Sequence, residues 1–293
     1  MTIPVPFRQF VLKVHSRCNL ACSYCYVYEL KDQSWRTQPH RISTDTIRQV
    51  IRRIADHVRA HQLDSIVIVL HGGEPLLAGA EFLAEAARQM RAEIPARLEV
   101  SLQTNGVLLD ESALSALTRQ EIHIGVSIDG DARATDRHRL FRNGGSSHEH
   151  VDRALRLLGK ERFRRFYGGL LCTIDLANDP IATYEALLKY SPPAIDLLLP
   201  HGTWSAPPPG IDPASPAAPY GEWLLAIFDR WYANPETSVR LFREIIQLTL
   251  GGIGAVEGLG LRPGTSIVVD TDGAIKQHDS LAAAYPGAAE TGL

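Results

Sequence analysis

Residues 10–25 read Phe10-Val-Leu-Lys-Val-His15-Ser-Arg-Cys18-Asn-Leu-Ala-Cys22-Ser-Tyr-Cys25, a β-type run that passes straight into three cysteines spaced Cys-x3-Cys-x2-Cys. The chain of 293 residues carries four cysteines in all, so three of the four crowd into this one loop. A disulfide scaffold spreads its cysteines through a short secreted chain. A tight triplet in a long chain points instead to metal binding or catalysis.

Outward from this junction, short apolar runs alternate with helical patterns. After Phe10–His15 the strand candidates are Ser65–Leu70, Leu98–Gln103, Ile122–Ile128, Tyr167–Ile174 and Ile195–Leu199. Ser65–Leu70 (SIVIVL) is apolar almost throughout, as a strand covered on both faces must be. Between the first two strands, Ile47, Val50, Ile51, Ile54 and Val58 recur at helical spacing, with Ser43 or Thr44 placed to cap. Asp110, Ser146 or Ser147, and Asp179 followed by Pro180 stand where later helices begin. Six strand–helix units in a row predict an α/β fold with a parallel sheet and helices outside it. Periodicity does not say whether that sheet closes.

Residues 200–219 are rich in proline and read as a linker or wrapping loop. Helices are expected over Tyr220–Ala233 and Glu236–Leu250, the second introduced by Asn234-Pro235. The glycine-rich patch Gly251–Gly260 leads to Ser266–Thr271, Asp272-Gly273 and Ala274–Asp279, a two-residue hairpin signal. The expected organisation is a core over 8–199, a proline-rich connection over 200–219, and a helical segment with a hairpin over 220–293.

Composition narrows the function. An apolar fraction of 45% with 22% charged residues is ordinary for a globular protein, and a net charge of −3 offers nothing to nucleic acid. No apolar run approaches the roughly 18 residues of a membrane span, and Met1 to Phe10 lacks the basic-then-apolar pattern of a secretory signal. The expectation is a cytoplasmic protein with no membrane or nucleic-acid partner.

Three thiolates in one loop suit three irons of a cubane 4Fe–4S cluster, which otherwise takes four cysteines. The fourth iron is left open to a small molecule, and S-adenosylmethionine fills such a position through its amino and carboxylate groups. An electron from the reduced cluster then breaks a C–S bond, and the 5′-deoxyadenosyl radical takes hydrogen from the substrate. Two simpler readings stand beside this one. A zinc site would need His15 or a remote His as fourth ligand, although zinc ligands usually come in two knuckles and no second knuckle is present. A redox Cys22-x-x-Cys25 pair leaves Cys18 without a role. Cys172, in the fifth strand, reads as a small core residue.

Other strand ends carry small polar and glycine-rich strings. His71-Gly72-Gly73-Glu74-Pro75 follows the second strand, where the glycines permit close backbone approach and Glu74 suits an ammonium. Gln103-Thr104-Asn105-Gly106 ends the third, and Ser127-Ile128-Asp129-Gly130 ends the fourth, where Ser127 suits a ribose hydroxyl. Singly, each is most simply a turn. Together they mass at the carboxyl ends of successive strands, where parallel α/β folds build active sites.

The triplet with Tyr24 before its last cysteine, then Gly72-Gly73-Glu74-Pro75, then Ser127-x-Asp129-Gly130, resembles the radical SAM superfamily, and within it the peptide-modifying branch that carries a cysteine-rich SPASM extension. The resemblance covers residues 8 to about 199 and implies a (β/α)6 partial TIM barrel, an oxidoreductase activity, one 4Fe–4S cluster on Cys18, Cys22 and Cys25, and S-adenosyl-L-methionine. It also implies a flavodoxin- or ferredoxin-type electron donor. By the same resemblance Tyr24 contacts the adenine, Gly72 and Gly73 the methionyl amino group with Glu74 beside it, and Ser127 the ribose. Arg139, about twelve residues after that serine, is the expected partner of the cofactor carboxylate, with Arg137 competing.

Leu199-Pro-His-Gly-Thr-Trp204 and Asp270-Thr-Asp-Gly273 with Asp279-Ser280 are similar to FxsB-type cyclophane-forming maturases of ribosomally made peptides. That likeness implies removal of a β-hydrogen from one residue of a precursor peptide and a C–C bond to a nearby aromatic ring. Asp270, Asp272 and Asp279 are candidate bases. The family continues into a region with more cysteines, whereas no cysteine follows Cys172 here. The expectation is therefore a single cluster and the start of a shortened SPASM-like region. A peptide-binding module without full turnover, a thioether-forming enzyme and a sulfatase-maturase-like oxidase are the competing readings.

Overall fold

A computed structural model describes residues 5–254, 259–260 and 263–293. The readings placed on Met1 to Pro4 and on part of the Gly251–Gly260 patch lie outside the described residues.

The chain folds as successive strand–helix units: β1 (Gln9–His15), α1 (Thr44–His61), β2 (Ser65–Gly72), α2 (Ala80–Glu93), β3 (Arg97–Thr104), α3 (Glu111–Thr118), β4 (Ile122–Ser127). Then come α4 (Ala132–Asp136), α5 (His148–Leu158), α6 (Glu161–Arg164), β5 (Tyr167–Thr173), α7 (Pro180–Leu188) and β6 (Ala194–Leu198). All six expected strands form, and their neighbours pair in parallel from β1 to β6. This is the α/β parallel-sheet architecture of the radical SAM partial barrel, and the sheet stays open.

Local chemistry explains most boundaries. Ser43 accepts from Thr46 N–H, Asp110 from Ala113 N–H and Asp179 from Ala182 N–H, each satisfying a helix-start donor. Of the two serines expected at the start of α5, Ser146 accepts from His148 N–H at 3.2 Å, while Ser147 donates its hydroxyl to the Arg139 carbonyl at 2.5 Å and ties the helix to the segment before it.

Period-two alternation sorts the two faces of the sheet. Phe10, Leu12 and Val14 of β1 and Ile66, Ile68 and Leu70 of β2 are buried, and they belong to one core with α1 residues such as Ile47, Ile51 and Ile54. The alternate residues, Lys13 and His15 among them, face the other side and stay partly accessible.

The last third departs from expectation in two places. Helix α8 (Pro219–Ala233) forms as expected, but α9 spans Arg240–Thr249 only, because Ser238–Val239 is drawn out as β7 parallel to β6. Glu236 is held by Arg230 and Asn234, and Thr237 donates to Pro192 O at 2.7 Å, so the chain is extended there before it can turn helical. The Asp272-Gly273 hairpin forms between β8 (Ser266–Val269) and β9 (Ile275–Lys276). Its loop is longer than a two-residue turn: Asp270 N–H bonds Ala274 O, and Gly273 (φ +95°) donates back to Asp270 O. β8 also pairs in parallel with β1, so among the described residues nine strands form one sheet in the order β7-β6-β5-β4-β3-β2-β1-β8-β9. Among the described residues no helix is long and apolar enough to cross a membrane.

Candidate active site

Cys18, Cys22 and Cys25 lie in the loop after β1, each partly shielded and none in a disulfide. The loop runs antiparallel to residues 138–141: Leu20 bridges Phe141, Ala21 N–H donates to Leu140 O at 2.8 Å, and Ser23 N–H donates to His138 O at 3.3 Å. Arg17 fixes its base, donating to Trp35 O (2.6 Å), Ser16 Oγ (2.8 Å) and Arg36 O (3.1 Å). Burial pushes the Cys18 thiol up to about 12, and it raises Cys22 and Cys25 as well.

The glycine pair after β2 abuts this loop. Gly72 has φ +141°, and a Cβ on Gly73 would lie 1.8 Å from Tyr28 Oη and 2.5 Å from Arg17 O. Only residues without side chains let the strand end and the cysteine loop approach this closely.

Glu74 is fully buried and occupied. Oε1 accepts from Leu76 N–H (2.9 Å) and Thr104 Oγ1 (2.7 Å), and Oε2 from Asn105 N–H (2.8 Å). The carboxylate expected to face an ammonium is thus first a tie between the ends of β2 and β3. Burial raises its pKa, with those three donors opposing.

Tyr24 also differs from a free adenine platform. Its hydroxyl donates to Asp129 Oδ2 at 2.5 Å and accepts from Arg139 Nη1 at 2.9 Å, while Asp129 Oδ1 takes Thr173 N–H at 3.1 Å. Asp129, which sequence reasoning left without a role, and Arg139 are both buried, and Arg139 Nε has no hydrogen-bond partner among the described residues. The two competing arginines separate clearly: Arg137 pairs with Asp175 at 2.7 Å and is 40% exposed, while Arg139 sits beneath the cysteine loop. Ser127 Oγ, at the end of β4, accepts from Gln103 Nε2 at 2.9 Å.

Beside this rim lies a pocket lined by Lys13, Tyr26, Gly72, Gly73, Lys276 and Asp279 among others. Lys13 pairs with Asp279 at 2.7 Å, Tyr26 Oη donates to Asp279 at 3.3 Å, and Lys276 pairs with Asp270 at 2.9 Å. His201, in the proline-rich segment, packs its ring 4.9 Å from Tyr26. Asp272 stays at the exposed hairpin turn, accepting from Gln38. Sequence reasoning missed Lys13 and Tyr26; the signal for Lys13 was a lone cation in an otherwise apolar strand.

Whether these residues suit an iron–sulfur cluster with S-adenosylmethionine is answered by their chemistry. Buried thiols stay protonated until a metal displaces the proton. The glycine rim gives a ligand access to backbone, and the buried, unpartnered Arg139 Nε suits a carboxylate. The three cysteines share one loop, as a cubane that puts each thiolate on a separate iron requires. The residues fit.

Fold and site define an α/β enzyme with an open parallel sheet whose carboxyl rim carries a thiol-bearing loop. The chain belongs to the radical SAM superfamily, whose family model matches residues 12–185. Its cofactors are accordingly a 4Fe–4S cluster and S-adenosylmethionine. It is 24% identical over 289 residues to a cysteine-type anaerobic sulfatase-maturating enzyme of Clostridium perfringens, covering 94% of this chain and 74% of that protein. To the serine-type anaerobic sulfatase-maturating enzyme of Klebsiella aerogenes it is 32% identical over 159 residues, covering 53% of this chain and 37% of that protein. The structure of native anSMEcpe with bound AdoMet superposes with a TM-score of 0.79 at 22% identity, covering 93% of this chain and 75% of that one. Streptococcus suis SuiB bound to precursor peptide SuiA gives 0.62 at 14% identity, covering 95% and 61%. By their names these relatives are sulfatase-maturating enzymes and a protein bound to a precursor peptide, and they do not support the FxsB-type likeness.

Proposed function

We propose that this chain is a peptide-modifying radical SAM enzyme in which Cys18, Cys22 and Cys25 hold the cluster. Gly72 and Gly73 then receive the methionyl end of S-adenosylmethionine, Arg139 its carboxylate and Ser127 its ribose. Tyr24 frames the adenine side, and Glu74 holds the glycine rim in place. The observation that carries this reading is the meeting of three elements at one rim: the cysteine loop, the glycine pair and the buried Tyr24–Asp129–Arg139 network. When bound, the reduced cluster supplies the electron that cleaves the cofactor and opens radical chemistry on a substrate carbon.

The chain's own residues handle position and protons. Arg139 keeps Asp129 and Tyr24 fixed at a buried site that excludes water. The hairpin of the 220–293 segment walls the pocket against the 8–199 core. Of the three candidate carboxylates, Asp270 and Asp279 line the pocket, each paired with a lysine (Lys276 and Lys13), while Asp272 faces solvent, so the first two are the ones placed toward substrate. A peptide substrate is supported by relatives that mature sulfatases or bind a precursor peptide. An electron donor of flavodoxin or ferredoxin type completes the reaction.

The finer reading is a C–C crosslink between a β-carbon and an aromatic ring, which the Leu199–Trp204 and Asp270–Gly273 strings support. The second reading, oxidation of a single side chain, is supported by the sulfatase-maturating relatives. Anaerobically reconstituted protein with reductant and S-adenosylmethionine should release 5′-deoxyadenosine, and Cys→Ala changes at the triplet should abolish that release. Absence of release from cluster-loaded protein overturns the reading. Tandem mass spectrometry of treated peptide then separates the two outcomes: a crosslinked segment resists backbone fragmentation between the joined residues, and an oxidised single residue does not.

A further inference from the structure

The turn after β3 does more than reverse the chain. Asn105 is 6% exposed, and both polar atoms of its side chain are committed. Its Oδ1 accepts from Val107 N–H at 3.0 Å, which fixes the orientation of the side-chain amide. The amide nitrogen therefore points the other way, donating one hydrogen to Asn19 Oδ1 at 2.8 Å and the other to Cys18 Sγ at 3.6 Å. Asn105 N–H is anchored on the buried Glu74 carboxylate. Cys18 Sγ also accepts from Leu20 N–H at 3.4 Å. Among the described residues, Cys18 is the one cysteine of the triplet whose sulfur receives a side-chain amide.

We propose that Asn105 sets the reduction potential of the cluster through its hydrogen bond to Cys18. The inference rests on Cys18 being a cluster ligand. The Cys18 thiol now points its proton toward Asn19 Oδ1 at 3.8 Å, and that proton leaves when the sulfur ligates metal. The thiolate then accepts two N–H groups with nothing left to donate. An added electron raises negative charge on the cluster and its sulfurs. Donors already aimed at one sulfur stabilise that charge, so they favour the reduced state and raise the potential. The amide is held from three sides by Val107, Asn19 and the Glu74-anchored backbone, so it spends nothing on reorganisation when the electron arrives.

Two variants keep the turn while removing the donor. Asn105→Ser retains a short oxygen that caps Val107 N–H but does not reach the sulfur. Asn105→Asp retains the full-length acceptor and replaces the donor with a second oxygen. In reconstituted full-length protein, without peptide or S-adenosylmethionine, an anaerobic redox titration followed by electron paramagnetic resonance reads the potential directly. Both variants should bind iron and sulfide as the parent does and titrate at a more negative potential, Asn105→Asp the lower. A tenfold fall in the reduced-to-oxidised ratio at fixed solution potential corresponds to about 59 mV for a one-electron couple. An unchanged potential in either loaded variant overturns the proposal. So does failure of both to load, which makes Asn105 an assembly residue. Cys18→Ala runs alongside: if it loads and titrates like the parent, the ligand assignment itself falls, a result distinct from an unchanged Asn105 variant.

Discussion

Lys13 and Asp279 form an ion pair at 2.7 Å with side chains only 13% and 14% exposed, joining the first strand to the segment after β9. Burial pulls the Lys13 ammonium down, but Asp279, Asp270 and Asp32 together push it up further, and the net pKa is raised. A raised folded value means the stabilisation is complete below the unfolded pKa, about 10.4, and is lost as pH rises through the folded value. Lys13→Met leaves Asp279 shielded without its cation and should lower stability by about 2–4 kcal/mol at neutral pH, most of the cost of breaking a buried pair. Urea unfolding checks this, and the variant should lack the parent's alkaline decline above about pH 10.4.

The opposite edge of the pH scale tests the hairpin. Burial pushes Asp270 up, yet Lys13 and Lys276 outweigh it and hold the carboxyl below its ordinary value. A depressed acid stabilises above the unfolded pKa, about 3.9, and loses that contribution as pH falls through the folded value. Protection of the β8 and β9 amides, taken relative to intrinsic exchange at the same pH, should therefore fall below about pH 4, and Asp270→Asn should show the lower protection already at neutral pH.

Gly73 is the tightest point between the glycine rim and the cysteine loop. A methyl group there meets the Arg17 carbonyl, which is backbone and cannot swing aside, as well as Tyr28 Oη. Gly73→Ala should displace the loop, lower S-adenosylmethionine affinity at least tenfold and reduce cluster content. Equilibrium dialysis and iron analysis on the same preparation measure both.

Arg139 and Arg137 offer a matched comparison two residues apart. Arg139→Met removes a buried cation from Asp129, whose carboxyl burial already pushes up, and should cost about 3–5 kcal/mol along with cofactor affinity. Arg137→Met loses a partly exposed pair to Asp175 and should cost no more than about 1 kcal/mol with affinity unchanged. Equal losses from the two would contradict the placement of Arg139 at the cofactor.

What could be read from sequence follows the range of the interaction involved. Ser43, Asp110 and Asp179 act on N–H groups three residues away, and the SIVIVL strand announces its own burial, so these elements were legible. Ser238–Val239 was read as helix because its reason for being extended lies in Ala194–Ile195 of another strand. The placement of β8 against β1 was illegible for the same cause, since alternation names a face and never a neighbour. At the site, the cysteines and glycines announced themselves by spacing. The Tyr24–Asp129–Arg139 network and the Lys13–Asp279 pair did not, because each depends on loops that only the fold brings together.

Gly125 and Gln103 are coupled in a way that a double-mutant cycle reads cleanly. A Cβ on Gly125 would sit 2.4 Å from Gln103 Oε1, so the absent side chain leaves room for the Gln103 carboxamide to lie across β4. From there Nε2 donates to Ser127 Oγ, which leaves the serine's own proton free to be given to a ligand hydroxyl. Gly125→Ala pushes only the far end of a flexible side chain, so it should cost little stability. It should still weaken S-adenosylmethionine binding several-fold, because Ser127 loses its donor and its hydroxyl loses orientation. Gln103→Ala should weaken binding by the same amount through the same loss. If the two residues act along this one path, the double variant binds no worse than Gln103→Ala alone. Additive losses would mean that Gly125 serves the cofactor by some route other than Gln103.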